Sequence, residues 1–391
     1  MIIPRLAIRN LLGAGLRTWL NVIVLSFSFV VIIWLQGLYK GMGDQARVAQ
    51  TDSEYGGGQY WQEIYDPFDP LTLQDAHAVI PESLQTLIDN GQATPILISQ
   101  ATIYPEGRLQ IIQMKGIDPA QNIVNLPTQP LDQEGEELPA LIGARMARNA
   151  GLEVGDTVTV RWRDAQGTFD ARDARIVQIM KTSVPTIDQA QIWVPLDKLQ
   201  SLTRMENEAT LVILAQNTEE FPQTSGWIHK DMDFLLKDIE MLVQSKQIGG
   251  SIIYVILLCL AMLAIFNTQV LSIFRRRKEM GTLMSMGMTR GKIIQLFTLE
   301  GAMHSVLAAV VAAIYGIPLL LWSAKKGWAM PEAVDDYGIA GLGEALFPVY
   351  GTGLVVGTTI LILVVTTIVS FLPTRKIAKL KPTDALRGKM T

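Results

Sequence analysis

One cysteine stands in 391 residues. Cys259 lies inside an apolar run and is read as a small buried side chain. No intrachain disulfide can form, so any water-facing domain must be held by its own core. Three histidines are present. His77, His229 and His304 stand far apart with no helix-spaced metal pair, which argues against a zinc hydrolase. Chain-borne ATP binding is missing as well. The nearest stretch, Gly287-Met-Thr-Arg-Gly291-Lys292-Ile293, is one residue short of a phosphate cradle and lacks the Ser or Thr that would hold magnesium. Charged residues are 18% of the chain, and the basic ones flank apolar runs instead of forming a stripe with aromatics, which excludes nucleic acid as a partner.

What is present is apolar. Hydrophobic residues make up 49% of the sequence, and four runs are long enough to cross the ~30 Å hydrocarbon layer, which takes about 20 helical residues. They predict helix 1 over 20–39, helix 2 over 248–274, helix 3 over 299–322 and helix 4 over 349–372. The first run is read as an uncleaved span because it is too long for a signal peptide and no small-residue cleavage site follows. Residues 1–19 read as an amphipathic surface helix. Residues 323–348 read as a short outer loop with interfacial Trp322 and Trp328 at its edge, and 373–391 as a basic tail.

Charge is segregated. Residues 44–247 hold 30 acidic and 15 basic residues, whereas the rest holds 7 acidic and 18 basic. The basic residues cluster at Arg5, Arg9 and Arg17, at Arg275 to Lys278 with Arg290 and Lys292, and from Arg375 to Lys389. Four spans place all three clusters on the cytoplasmic face and residues 40–247 outside. The fold class expected is therefore a membrane protein: four transmembrane α-helices with a large α+β extracytoplasmic domain inserted between helices 1 and 2.

Within that domain, Ala93–Ser99 and Leu109–Gly116 read as strands bounded by Pro and Gly, and Gln121–Gly135 as a surface loop. The stretch from Glu137 to Val160 is the most legible. A strand PALIG leads into a helix, ARMARNAGL, that Gly151 can stop by adopting positive φ. After a Gly-Asp turn, VGDTVTVRW alternates as a strand. Residues 216–247 are charged and helix-prone. In the membrane part, Glu300 is read as a structural partner of the basic loop, and His304 as an interfacial side chain.

Three stretches carry a family resemblance. RRRKEMGTLMSMGMTRGKI resembles the R-x-x-E-I-G-x-x-x-A-x-G pattern of the FtsX-like permeases. IGARMARNAGLEVGDTVTV resembles the outer domains of the MacB-type and lipoprotein-releasing members. LPTRKIAKLKPTDALRG resembles the family's C-terminus. The resemblance implies a non-catalytic membrane subunit of an ATP-driven transporter of the mechanotransmission type. ATP and magnesium would sit on two copies of a separate ATPase, and no cofactor would be bound by this chain. It implies further partners: a second permease copy or paralogue, the lipid bilayer, and a periplasmic chaperone or adaptor. It places the chain in the inner membrane with both termini cytoplasmic.

The resemblance also makes 275–298 the loop that bears the coupling helix. There Arg277, Glu279, Gly281, Leu283, Met284, Met286 and Gly287 are the candidate ATPase contacts, the flexible methionines and leucine offering an adaptable apolar surface. Helices 1 and 2 would line a cavity open to the outer leaflet, with Phe27, Val31, Trp34, Leu38, Ile253, Leu257 and Leu260 as candidate acyl-chain contacts. The implied action is extraction or export of a lipoprotein or another amphiphile. The alternatives are MacB-like efflux of small molecules or peptides, and FtsX-like control of periplasmic enzymes without transport. One departure is the short Arg161–Arg175 segment, where lipoprotein-releasing members carry a longer loop for their chaperone.

Overall fold

The computed structural model describes residues 16–329 and 345–375, Ser183 excepted. The expected surface helix, most of the outer loop and most of the tail lie outside the described residues. The chain divides into two compact units, one made of the long helices and one built around Met42–Leu242.

Four helices are long and apolar enough to cross a membrane. They are α1 (Leu16–Gln50), α5 (Lys237–Arg275), α7 (Arg290–Lys326) and α8 (Thr352–Thr374). Three exceed their apolar runs. No proline interrupts 40–50 or 237–248, so the intrahelical hydrogen bonds continue past the greasy segment. Arg290–Thr298, expected in the loop, is the first part of α7, which Thr289 precedes in extended conformation.

Half of the apolar window of α1 is buried, against about a fifth in the other three; α1 is the central helix. Val22, Leu25, Phe29, Val30, Ile32 and Ile33 of α1 form one cluster with Ala261 and Ile265 of α5, Ala308 and Ala312 of α7, and Ile362 of α8. Polar pairs tie the helices inside this apolar packing, where no water competes for them. The Asn21 amide donates to Thr268 at 2.7 Å, the Tyr315 hydroxyl to Ser26 at 3.3 Å and the Thr358 hydroxyl to Gln36 at 2.9 Å. Cys259 is exposed on α5, which corrects the expectation of burial. In lipid an apolar side chain gains nothing by turning inward, so hydrophobicity alone does not fix its facing.

The other unit is strand-rich. The strands of its main sheet are β1 (Gln59–Gln62), β2 (Ala93–Ile103), β3 (Gln110–Ile117), β4 (Leu138–Gly143), β5 (Thr157–Arg163), β6 (Phe169–Met180), β7 (Gln191–Pro195), β8 (Leu211–Leu214) and β9 (Trp227–Lys230). Helices α2 (Glu82–Asp89), α3 (Ala144–Ala150) and α4 (Leu196–Thr203) accompany them.

The pairing order closes on itself. Strand β2 pairs with β3, β3 with β7, β7 with β4, β4 with β6, β6 with β5, and β5 returns to β2 through Ala101↔Trp162, Thr102↔Arg161 and Ile103↔Val160. The result is a ring of six strands. Alternation along β5 points Val158, Val160 and Trp162 inward and Thr157, Thr159, Arg161 and Arg163 outward. The inward set joins Ile103, Met114, Ile142, Ile176 and Val194 in one core. The other half of β2 carries β8, β1 and β9 as an antiparallel extension.

The most legible stretch of the sequence folds as read. Strand β4 passes into α3, and Gly151 ends that helix at φ 65°. The segment read as surface loop at 121–135 has little regular structure, yet Val124, Leu126 and Leu131 are buried on the sheet. Trp227–Lys230, inside a region read as helix-prone, is a strand.

Candidate functional site

The short helix α6 (Arg277–Ser285) lies between α5 and α7. The α5 helix stops at Arg275, and Arg276 turns the chain with φ −97° and ψ 19°. The hydrogen bonds nevertheless run through the joint: the Arg276 amide donates to Ser272 at 3.0 Å, and the Met280 amide donates to the Arg276 carbonyl at 3.1 Å.

Apolar residues decide which face of α6 turns inward. Met280 is fully buried with Ile273, Ile293 and Phe297, and Leu283, Met284 and Met288 pack partly against them. The spacing Met280, Leu283, Met284 is the i, i+3, i+4 stripe of one helix face. Gly281 is buried too. Lys278, Glu279, Thr282, Ser285 and Met286 are exposed, Met286 at 78%. Gly287, also exposed, takes φ 92°. Of the loop residues singled out in the sequence, Glu279, Met286 and Gly287 therefore share an open rim. Leu283 and Met284 are half-buried, and Gly281 faces the packing.

The sequence reading missed Arg276. Its Nη1 donates to both carboxylate oxygens of Glu300, at 2.9 and 2.8 Å, and its Nε donates to Glu279 at 2.6 Å. The guanidinium also lies 4.9 Å from the centre of the Phe297 ring. The Glu300 side chain is 8% exposed, that of Glu279 60%. The pairing of Glu300 with the basic loop, expected from the sequence, is thus made by one particular arginine. One turn further along α7, His304 is buried and its Nδ1 lies 2.9 Å from the Glu300 carbonyl; it is a packed side chain, not an interfacial one.

Helices α1 and α5 touch near both ends. Besides Asn21–Thr268, Tyr39 lies against Gly250, where a Cβ would stand 2.4 Å from the Tyr39 ring. Both contacts fit one antiparallel register, about 27 Å apart along the helix at 1.5 Å per residue. Phe27, Val31, Trp34 and Leu38 recur along α1 at helical spacing. Val31, Trp34 and Leu38 are half-buried, with Trp34 edge-on to Trp328 at 5.2 Å. On α5, Leu257 packs against the same bundle core as Trp34, while Ile253 and Leu260 are exposed, as Phe27 is.

Three buried charged residues in the strand-rich unit, Arg145, Asp188 and Lys115, are structural. Arg145 pairs with Asp188 at 3.2 Å, and Asp188 also accepts the Arg145 amide at 3.0 Å. Burial pushes the Asp188 carboxyl above its ordinary range. Lys115 on β3 is buried with Nζ 5.1 Å from the Trp193 ring, and burial pulls its pKa down. No group of three or more metal-ligating side chains occurs among the described residues.

Four membrane-length helices, a short helix held between two of them and a closed-barrel unit fit a multi-span membrane protein, and sequence comparison gives its kind. The MacB-like periplasmic core domain matches residues 18–230 and the FtsX-like permease C-terminal domain matches 251–382. The chain belongs to the FtsX-like ABC transporter permeases with a MacB-like periplasmic core domain.

Among its relatives is the lipoprotein-releasing system transmembrane protein LolC of Neisseria meningitidis. That protein is 20% identical over 75% of this chain and 77% of its own length. An uncharacterized ABC transporter permease of Methanocaldococcus jannaschii is 24% identical over 66% of this chain and 64% of its own length. A macrolide export ATP-binding/permease protein MacB of Yersinia pestis is 28% identical over 40% of this chain, and the match spans 22% of that protein. The extracellular domain of the noncanonic ABC-type transporter YknZ, a solved structure, matches 41% of this chain at 14% identity with a TM-score of 0.25.

Proposed function

We propose that the chain is the permease subunit of a mechanotransmission-type ABC transporter, driven by an ATPase on another chain. In this reading the subunit extracts a lipoprotein or a similar amphiphile from the outer leaflet of the inner membrane. The observation that carries it is α6: a nine-residue helix anchored by buried Met280, with Glu279 and Met286 on its open rim. A rim with one flexible apolar side chain and one carboxylate suits contact with a separate protein. The basic residues beside it support a cytoplasmic position for this end of the bundle, where ATP is available, and with it an outer position for residues 44–247. Two ATPase copies and a second permease copy complete the assembly, and the chain itself has no catalytic role.

Val31, Trp34 and Leu38 of α1 with Leu257 of α5, together with exposed Phe27, Ile253 and Leu260, are the proposed acyl-chain contacts. The test is in-membrane photo-crosslinking from Trp34 replaced by a photoreactive residue. A lipidated protein in the adduct that disappears on ATP addition is the expected result. An intact ATPase complex with no lipoprotein adduct would refute lipoprotein extraction.

A second reading rests on the β5–β6 hairpin. Its connection is a tight turn in which Asp164 accepts the Gln166 and Thr168 amides at 3.0 and 2.7 Å. The longer chaperone-gripping loop implied for lipoprotein-releasing members has no counterpart there. This favours efflux of a smaller molecule in the MacB manner, which the same crosslinking experiment separates by the mass of the adduct.

A further inference from the structure

A short helix set between two long ones can be moved in two ways. It can bend at its joint with α5, or it can carry α7 with it. The residue at the joint decides between them. Arg276 supplies the backbone turn between α5 and α6, and its side chain leaves that turn to reach α7. There it meets both oxygens of Glu300 and the face of Phe297, one turn apart on the same helix. Glu300 is buried, so without Arg276 an ionised carboxylate would stand unneutralised in a poorly hydrated site. The Nε–Glu279 bond fixes the guanidinium from the α6 side.

Beyond Glu300 the connection continues. A Cβ on the next residue, Gly301, would lie 2.3 Å from Ser370 Oγ on α8, so the two backbones are in close approach there. Thr298 and Thr374 share a hydrogen bond of 3.0 Å across the same two helices. A path of direct contacts therefore runs from α6 through Arg276 to α7 and on to α8.

We infer that Arg276 is a positioning residue that locks α6 to α7, so that a push on α6 is delivered to the α7–α8 pair instead of being absorbed at the α5–α6 joint. This rests on the proposed role of α6 as the ATPase contact. The physical basis is charge-assisted hydrogen bonding at low local dielectric, which is stronger and more directional than a solvated surface pair.

The experiment uses the full chain in lipid nanodiscs in a Cys259→Ala background. Spin labels go on Ser285→Cys in α6 and Ile314→Cys in α7, both at exposed positions. Their distance distribution is measured without nucleotide, and again with the ATPase trapped by ATP and vanadate. The expected result is one narrow distance, unchanged by trapping. With Glu300→Gln the distribution broadens about twofold and shifts on trapping, as a rigid pair becomes a population of poses. ATPase retention on the complex stays the same. Arg276→Lys, which keeps the charge but loses the planar contacts to Glu279 and Phe297, is expected in between, and it carries the test should Glu300→Gln not insert.

Distributions as narrow in both variants as in the unsubstituted chain would overturn the lock. If the unsubstituted chain retains no ATPase, the proposed function falls. The nucleotide-free comparison still decides whether Arg276 holds α6 to α7.

Discussion

Met286→Asp is the sharpest test of the α6 rim. Met286 is 78% exposed and closes α6 just before Gly287, so its loss removes little from the chain's own packing. Burying a methionine side chain fully is worth about 1.5–3 kcal/mol. A partner that covers this one recovers most of that. Aspartate loses the gain and adds the cost of desolvating a carboxylate, about 1–3 kcal/mol where a partner group relieves part of it. The sum of about 2–5 kcal/mol corresponds to roughly a 30- to 5,000-fold weaker ATPase complex. Equilibrium titration of the ATPase onto nanodisc-held protein reads this directly. Thermal unfolding of the same sample should be unchanged. Glu279→Lys should weaken binding as well, because it reverses the exposed charge of the rim. Dissociation constants within about threefold of the original for both variants, a difference under 1 kcal/mol, would refute the assignment of this rim to the ATPase.

Gly301→Val places atoms 2.3 Å from Ser370 Oγ. Parting α7 and α8 by roughly 1 Å should cost about 1–3 kcal/mol, visible as a lower melting temperature of the detergent-solubilised chain. Asp188→Ala removes the carboxylate that meets Arg145 in the barrel unit and should destabilise that unit by about 3–5 kcal/mol, read by tryptophan fluorescence on heating. Lys115→Met should be neutral or stabilising by about 1–2 kcal/mol, since a buried charge gives way to an apolar chain of similar length. The pH dependence has a definite sign. Burial lowers the Lys115 pKa in the folded state. Between the folded and unfolded values the unfolded chain holds the extra proton, so stability rises with pH across that window. Lys115→Met should flatten this alkaline rise, and an identical slope in both proteins would count against the assignment.

Much of this architecture could be read without coordinates. Apolar run length located the four long helices, and the Gly151 stop and the Gly-Asp turn located β4, α3 and β5, because these signals are local. Three things were not local. Closure of the ring depends on β2 meeting β5 across more than 50 residues, and no neighbouring residue encodes that register. The choice of Arg276 from the run Arg275-Arg276-Arg277-Lys278 depends on where α5 breaks, which sets the angle at which each cation leaves the axis. Cys259 points outward because lipid removes the usual inward pull. The buried face of α6, by contrast, was available: Met280, Leu283 and Met284 form an i, i+3, i+4 stripe, and weighing that spacing would have separated them from Met286.

The closed ring also bears on how this molecule survives its surroundings. Unpaired strand edges recruit other chains, and a protein that meets exposed or partly unfolded polypeptide risks growing its sheet with material that never leaves. Six strands here have each flank occupied by another of the six. The free flank of the extension falls to β9, four residues long and ending in a lysine. Such an edge is too short and too charged to seed further strands, which makes the unit a poor template for aggregation at concentrations where an open sheet of the same size would accrete its neighbours.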